Sequence, residues 1–251
     1  MVRAASLMFL IGCGSVNAAH DAGGLADAAV LDAAPADAAA TGLVAWYTMD
    51  APALTTVTDA SGHHHDGLCG GNSGAECPLV SGSPRNGAYV FNGTTDMIRV
   101  HPDPELNGSA GFTVAVWINR GAATTGCVVN KGFGTAEDNS WQACMNANGD
   151  VAFFSTGSGD GAAQTTSGHS LPVGEWHHVA LWSNGMTKAT YIDGERTAMN
   201  DFITSFDSDD ITIGADVDDG AIATPFTGML DDVRIYNRAL SDTEITALQS
   251  L

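Results

Sequence analysis

Phe112-Thr113-Val114-Ala115-Val116-Trp117-Ile118 decides the fold. Side chains of an extended chain alternate between two faces, so Phe112, Val114, Val116 and Ile118 share one face. The run predicts a central strand buried on at least that side. Working outward, short alternating runs recur between Gly, Asn and Asp turns: Leu43 to Thr48, Ala88 to Phe91, Met97 to Val100, Cys127 to Asn130, Trp141 to Met145, Val151 to Ser155, His177 to Trp182, Thr187 to Ile192, Asp210 to Ile213 and Leu230 to Tyr236. Many short strands with no helical period between them predict an all-β antiparallel sandwich. Asp193-Gly194 is the dipeptide that type I′ hairpins favour, because both positions need positive φ, and Asn184-Gly185 is expected to do the same work one strand earlier. Together they predict a three-strand meander. Ser241-Asp242-Thr243-Glu244 ahead of Ile245 and Leu248 has the capping-box pattern of one short amphipathic helix.

The chain has 251 residues, with 9 Lys+Arg against 29 Asp+Glu and a net charge of −20. Such a charge repels phosphate, so nucleic acid is excluded as a partner. Charged residues are only 15% of the chain and glycines number 30, the balance of an extracellular β protein. No run of about 18 apolar residues occurs, so no spanning helix is expected.

Arg3 followed by the apolar run Ala4 to Gly12 has the layout of a short secretory signal. Leu10-Ile11-Gly12-Cys13 resembles the bacterial lipoprotein box, in which the signal is cut before a cysteine that is then acylated. The expectation is a signal at residues 1–12, lipidation at Cys13, an Ala/Asp-rich solvated tether over 13–41 and a folded domain over 42–251. Gly14 in place of Asp after the cysteine points to the outer membrane of the cell envelope, contacted through the lipid alone. A plainly secreted protein cut near Ala18-Ala19 is the alternative. Beyond Cys13 the four cysteines suit an oxidising compartment. Proximity in sequence pairs Cys69 with Cys77 and Cys127 with Cys144, one of three possible connectivities.

Seven stretches, in this order, resemble the LamG-like jelly-roll domain of the concanavalin A-like lectin and glucanase superfamily. They are Gly42 to Asp50, Asp59 to Gly67, Ala88 to Gly93, Phe112 to Trp117, Gly174 to Ala180, Tyr191 to Gly194 and Gly228 to Ser241. The resemblance implies a two-sheet antiparallel jelly roll with a short C-terminal helix, in which the first and last strands pair. It leaves activity open, because the fold carries lectins, adhesion modules and hydrolases alike. The hydrolases of the superfamily resemble one another in a Glu-x-Asp-x-x-Glu strand, and this chain has none. A non-enzymatic domain is therefore expected.

Calcium is the ion that the abundant Asp, Asn and loop carbonyls suit, since it takes six to eight oxygens. From related sandwiches, Asp232 matches a structural calcium ligand, with Asp59 as its second ligand; otherwise Asp59 caps its Ser-Gly turn and Asp232 pairs with Arg234. Asp138-Asn139 and Asp216-Val217-Asp218-Asp219 resemble the two loops with which pentraxins hold ligand-bridging calcium, which implies a metal at Asp138, Asn139, Asp216 and Asp218 and a ligand contact at Asp219. Trp46, Trp117, Trp176 and Trp182 lie on expected strands and are assigned to the core. Trp141 and Phe133 flank the acidic loop and are the candidate sugar platform. His63-His64-His65 is read as a solvated turn, because three neighbours on an extended strand cannot converge on one ion. Of His177 and His178, one is expected inward and hydrogen-bonded, the other on the sheet surface. The function expected is a surface-displayed, non-catalytic module that binds a glycan or an extracellular protein, with Ca2+ as an assisting ion. A structural or adhesion lipoprotein is the alternative, and a glycoside hydrolase the least favoured reading.

Overall fold

The computed structural model describes residues 41–70, 76–82, 86–108, 110–132, 140–156, 162–201 and 208–250. The lipidation residue Cys13, the tether up to residue 40, and Phe133, Asp138 and Asn139 lie outside them. Among the described residues the strands, in chain order, are β1 (Leu43–Tyr47), β2 (Thr56–Val57), β3 (Gly67–Leu68), β4 (Leu79–Ser81), β5 (Ala88–Asn92), β6 (Ile98–Val100), β7 (Phe112–Arg120), β8 (Gly126–Lys131), β9 (Trp141–Met145), β10 (Val151–Thr156), β11 (Ala162–Thr166), β12 (Trp176–Ser183), β13 (Thr187–Ile192), β14 (Glu195–Asp201), β15 (Ile211–Ile213), β16 (Asp216–Asp218), β17 (Ala221–Ala223) and β18 (Thr227–Tyr236). Helix α1 spans Asp242–Leu248.

Two antiparallel sheets face each other. Sheet A has the order β14-β13-β12-β7-β18-β5-β4, with β1 also on β18; sheet B has the order β11-β10-β9-β8-β15-β6-β3-β2. The deciding run is β7, placed centrally between β12 and β18, with Phe112, Val114, Val116 and Ile118 all in the core. From the facing sheet Val129, Trp141, Met145 and Phe153 close that core. First and last strands pair as the resemblance implies, Tyr47 opposite Val233. Strand β18 serves two neighbours by way of a bulge: residues 227–230 pair with β5, residues 233–236 pair with β1, and Asp232 between them sits at φ 53°.

Both hairpin turns of the meander form, by different means. Asp193 and Gly194 take φ 47° and 74°, as a type I′ turn requires. Asn184 departs from expectation. Only Gly185 takes positive φ there, and the Asn184 side chain instead accepts the Met186 and Thr187 N–H groups. Helix α1 opens with the expected capping box: Ser241 Oγ accepts the Glu244 N–H while the Glu244 carboxylate accepts the Ser241 N–H. The helix lays Ile245 and Leu248 over Tyr191, Tyr236, Ala115, Ala180 and Ala189, a second cluster on the outer face of sheet A. Both disulfides, Cys69–Cys77 and Cys127–Cys144, are the pairs that proximity suggested, the second bridging β8 and β9.

Candidate functional site

The tryptophans invert their expected roles. Trp141 is 1% exposed and is corrected from sugar platform to core: β9 turns it into the sandwich, where its ring stacks on Phe112 at 5.4 Å between centroids. Trp46, Trp117, Trp176 and Trp182 are half-buried and lie on the outer face of sheet A. Strand parity places them there. Val114, Val116 and Ile118 point inward, so Trp117 points out; Val179 and Leu181 point inward, so Trp176, His178 and Trp182 point out. The alternation was written in the sequence.

Helix α1 divides this outer face. At its end the Trp182 indole donates to the Leu240 carbonyl at 2.8 Å, and the ring packs against the helix cluster. Beyond the helix the face is half-exposed at Trp117 and Trp176, with Asp231, His178 and Asn119 buried between them. Directly paired residues of neighbouring strands share a face, which gives two rows. In one, Trp117 lies between Asp231 of β18 and His178 of β12, with its ring 5.5 Å from the imidazole. In the next, Leu79, Val90, Met229, Asn119 and Trp176 succeed one another across five strands. Leu79 is 77% exposed, and Val90, Met229 and Trp176 are half-buried. An apolar and aromatic strip thus runs beside a row that carries a carboxylate and an imidazole.

Trp46 borders this region. The Arg234 guanidinium lies 4.7 Å above its ring, and its indole N–H donates to Asp232 Oδ1 at 2.5 Å. Asp232 Oδ1 also accepts the Arg234 Nε–H at 3.0 Å. Asp59 accepts four hydrogen bonds, from the backbone of Trp46, Ser61 and His65 and from the Ser61 hydroxyl, and these hold its carboxyl below the usual carboxylate range against the opposing cost of burial. Asp59 and Asp232 therefore meet at Trp46, one on its backbone and one on its ring.

The loop expected at 216–219 is instead the hairpin of β16 and β17. Asp216 is buried, takes the Gln142 amide at 2.6 Å and the Val217 N–H at 2.9 Å, and burial pushes its carboxyl up. Asp218 is half-buried, and Asp219 is exposed at φ 49° in the turn. Asp216 thus points into the protein and Asp219 away from it.

The paired histidines are tied by one residue. Asp193 Oδ2 meets His177 Nδ1 at 2.8 Å and Oδ1 accepts the His178 N–H at 2.9 Å. The histidine triplet is a turn, as expected, but not an extended one. Gly62 and His64 sit at φ 90° and 64°, which brings the His63 and His65 rings to one side, stacked 6.0 Å apart. Nearby, Arg99, His101, Pro102, Asp209 and Asp210 line an open cleft of about 300 Å³, with Arg99 bonded to Asp210.

Two eight-stranded antiparallel sheets closed by their first and last strands, with an aromatic outer face, define a concanavalin A-like jelly roll. The chain belongs to the Laminin_G_3 family of the concanavalin A-like lectin/glucanases superfamily, whose model matches residues 78–246. No curated protein matches the sequence. Among solved structures, the binding domain of Paraclostridial Mosquitocidal Protein 1 is similar with a TM-score of 0.65 at 14% identity, over 84% of this chain and 52% of that one. Domain 4 of AbnA, a GH43 extracellular arabinanase from Geobacillus stearothermophilus solved with arabinotriose, gives 0.62 at 23% identity, over 82% and 97%. A Trypanosoma rangeli sialidase gives 0.62 at 19% identity, over 83% and 32%. This chain therefore spans about half of the toxin domain and a third of the sialidase, but nearly all of the arabinanase domain. At these identities the likeness is one of fold.

Proposed function

We propose that this domain is a non-catalytic binding module that docks a glycan on the open half of the outer face of sheet A, displayed at the cell envelope through a lipid on Cys13. One observation carries the proposal: Trp117 and Trp176 stand half-exposed on adjacent strands, over the buried Asp231 and His178 that pack the row beneath them. Sugars lay their C–H faces on such rings. The arabinotriose held by the similar arabinanase domain supports the choice of glycan over protein. Non-catalysis is supported by the absent Glu-x-Asp-x-x-Glu strand and by the buried carboxylates. Asp59, Asp96 and Asp210 are committed to hydrogen bonds or an ion pair within the fold.

Calcium enters the proposal as an assistant only. At Asp59 and Asp232 it has to compete with four donors and with the Arg234 guanidinium, so the oxygens of Asp138, Asn139 and Asp218 are its better ligands. Affinity electrophoresis against soluble polysaccharides, with and without millimolar Ca2+, tests both parts. Retardation that Trp117→Ala abolishes supports the face. Retardation that needs calcium and is lost in Asp218→Ala supports the ion. Binding to no polysaccharide together with self-association moves the domain to the adhesion reading.

A further inference from the structure

The turn after Asp59 holds a second constellation, on histidines and carboxylates that the glycan reading does not use. His65 is almost wholly enclosed, with its side chain 9% exposed. Its Nδ1 lies 2.8 Å from the Val44 carbonyl oxygen. A carbonyl only accepts, so Nδ1 carries the proton, and in the neutral ring Nε2 keeps its lone pair. That lone pair faces Asp103 Oδ1 at 3.7 Å and Glu105 Oε2 at 3.9 Å, both beyond hydrogen-bond length. Three electron-rich atoms, all within 4.8 Å of one another, thus converge on a common point. Such a convergence is repulsive unless a second proton on the ring or a metal cation sits inside it.

The surroundings hold each donor in place. Asp59 accepts the His65 N–H at 3.0 Å, Tyr47 donates to the His65 carbonyl at 2.6 Å, and Asp66 accepts the Asp59 N–H at 2.9 Å. Asp103 and Glu105 come from a single 3₁₀ turn, Pro104–Leu106, in which Asp103 Oδ1 accepts the Glu105 N–H. Glu105 Oε2 in turn lies 2.7 Å from His63 Nδ1. An imidazole backed by a carbonyl and a carboxylate backed by a second imidazole are the outer-shell supports that metal ligands carry.

We infer that His65 Nε2, Asp103 Oδ1 and Glu105 Oε2 bind a divalent transition-metal ion of the zinc class, with His63 orienting Glu105. One neutral imidazole and two carboxylates balance a divalent charge, and the nitrogen donor selects against calcium and magnesium. Donors on a tetrahedral ion at 2.0–2.1 Å stand about 3.3 Å apart. The imidazole-to-carboxylate spacings of 3.7 and 3.9 Å are wider by a few tenths of an ångström and the two carboxylate oxygens lie within 4.8 Å of each other, gaps that the half-exposed Asp103 and Glu105 side chains can close. The ion ties the turn at 63–65 to the segment at 103–105 and leaves its fourth position to water.

The test is zinc titration of the untagged full chain in competition with a chromophoric chelator, read together with the melting temperature. The expected result is one equivalent bound and a rise in melting temperature. Both are lost in His65→Ala and Glu105→Gln and kept in His64→Asn, which keeps the left-handed turn without the imidazole, while His63→Gln weakens binding about tenfold. Calcium at millimolar concentration does not displace the zinc. Should His65→Ala fail to fold, Glu105→Gln decides, because that side chain is half-exposed. Equal binding by wild type and Glu105→Gln, loss of binding in His64→Asn, or no stoichiometric binding overturns the inference.

Discussion

Trp141 and Trp117 stand on opposite walls of one sandwich and have opposite fates. Trp141 belongs to an interior cluster with Phe112 and Phe153, over which the buried Lys188 amine sits 4.8 Å from the Phe153 ring. Trp117 belongs to an outer row with Asp231 and His178, next to Trp46 and its stacked Arg234. Both residues are tryptophans on strands with apolar neighbours. The difference is parity: the inward register of β9 includes Trp141 and that of β7 excludes Trp117. Position beside an acidic stretch of sequence decides nothing, and the alternation along the strand decides everything.

The comparison breaks most sharply at Trp141. Replacing it by Ala should cost about 3–5 kcal/mol, the range for a large core aromatic, measured as a fall in the denaturation midpoint. A cost below about 1 kcal/mol would return Trp141 to the surface. Next in size, converting Cys127 and Cys144 to Ser should cost about 2–4 kcal/mol by freeing β8 from the strand that carries Trp141; a thermal melt of the double variant checks this. Trp176→Ala on the open face should leave stability within about 1 kcal/mol of wild type while lowering glycan affinity at least about tenfold.

Lys188 sharpens the interior half of the comparison. Burial lowers its amine from the ordinary value of 10.5 to about 7, although it meets the Phe153 carbonyl and the Ser155 hydroxyl. Between those two values the unfolded chain holds a proton that the folded chain has released. Stability therefore rises as pH climbs from about 7 towards 10, and Lys188→Met should flatten that slope in chemical denaturation at pH 6.5 and 9.5. The smallest effect belongs to the helix that closes the other half of the outer face. The Arg238 guanidinium and the cap donors of Ser241 lower Glu244 to about 2. This support is complete above pH 4.5 and fades as pH falls through about 2; Glu244→Gln should cost about 1 kcal/mol at pH 7 and little at pH 2.

The sandwich was legible because its evidence is local. Period-two runs such as Phe112 to Ile118, the Asp193-Gly194 turn and the Ser241 capping box each carry their own geometry. The outer-face tryptophans were equally legible in the same alternation, since Trp117 and Trp182 fall out of phase with Val116 and Leu181. Asp216-Val217-Asp218 was not, because a three-residue strand leaves no period to count and its acids look like loop acids. His63-His64-His65 was hidden for a different reason. Its convergence rests on the left-handed His64, and on Asp103 and Glu105 some forty residues away, which no local pattern reports.

The proposed ligand surface is the half-exposed outer face of sheet A around Trp117 and Trp176. The direct measurement is glycan affinity of the wild-type chain beside the Trp117→Ala/Trp176→Ala double variant, with the melting temperature of each taken in the same buffer. The prediction is a polysaccharide that the wild type retains and the double variant releases, at matched melting temperatures. Equal retention by both proteins would place the ligand elsewhere and contradict the account.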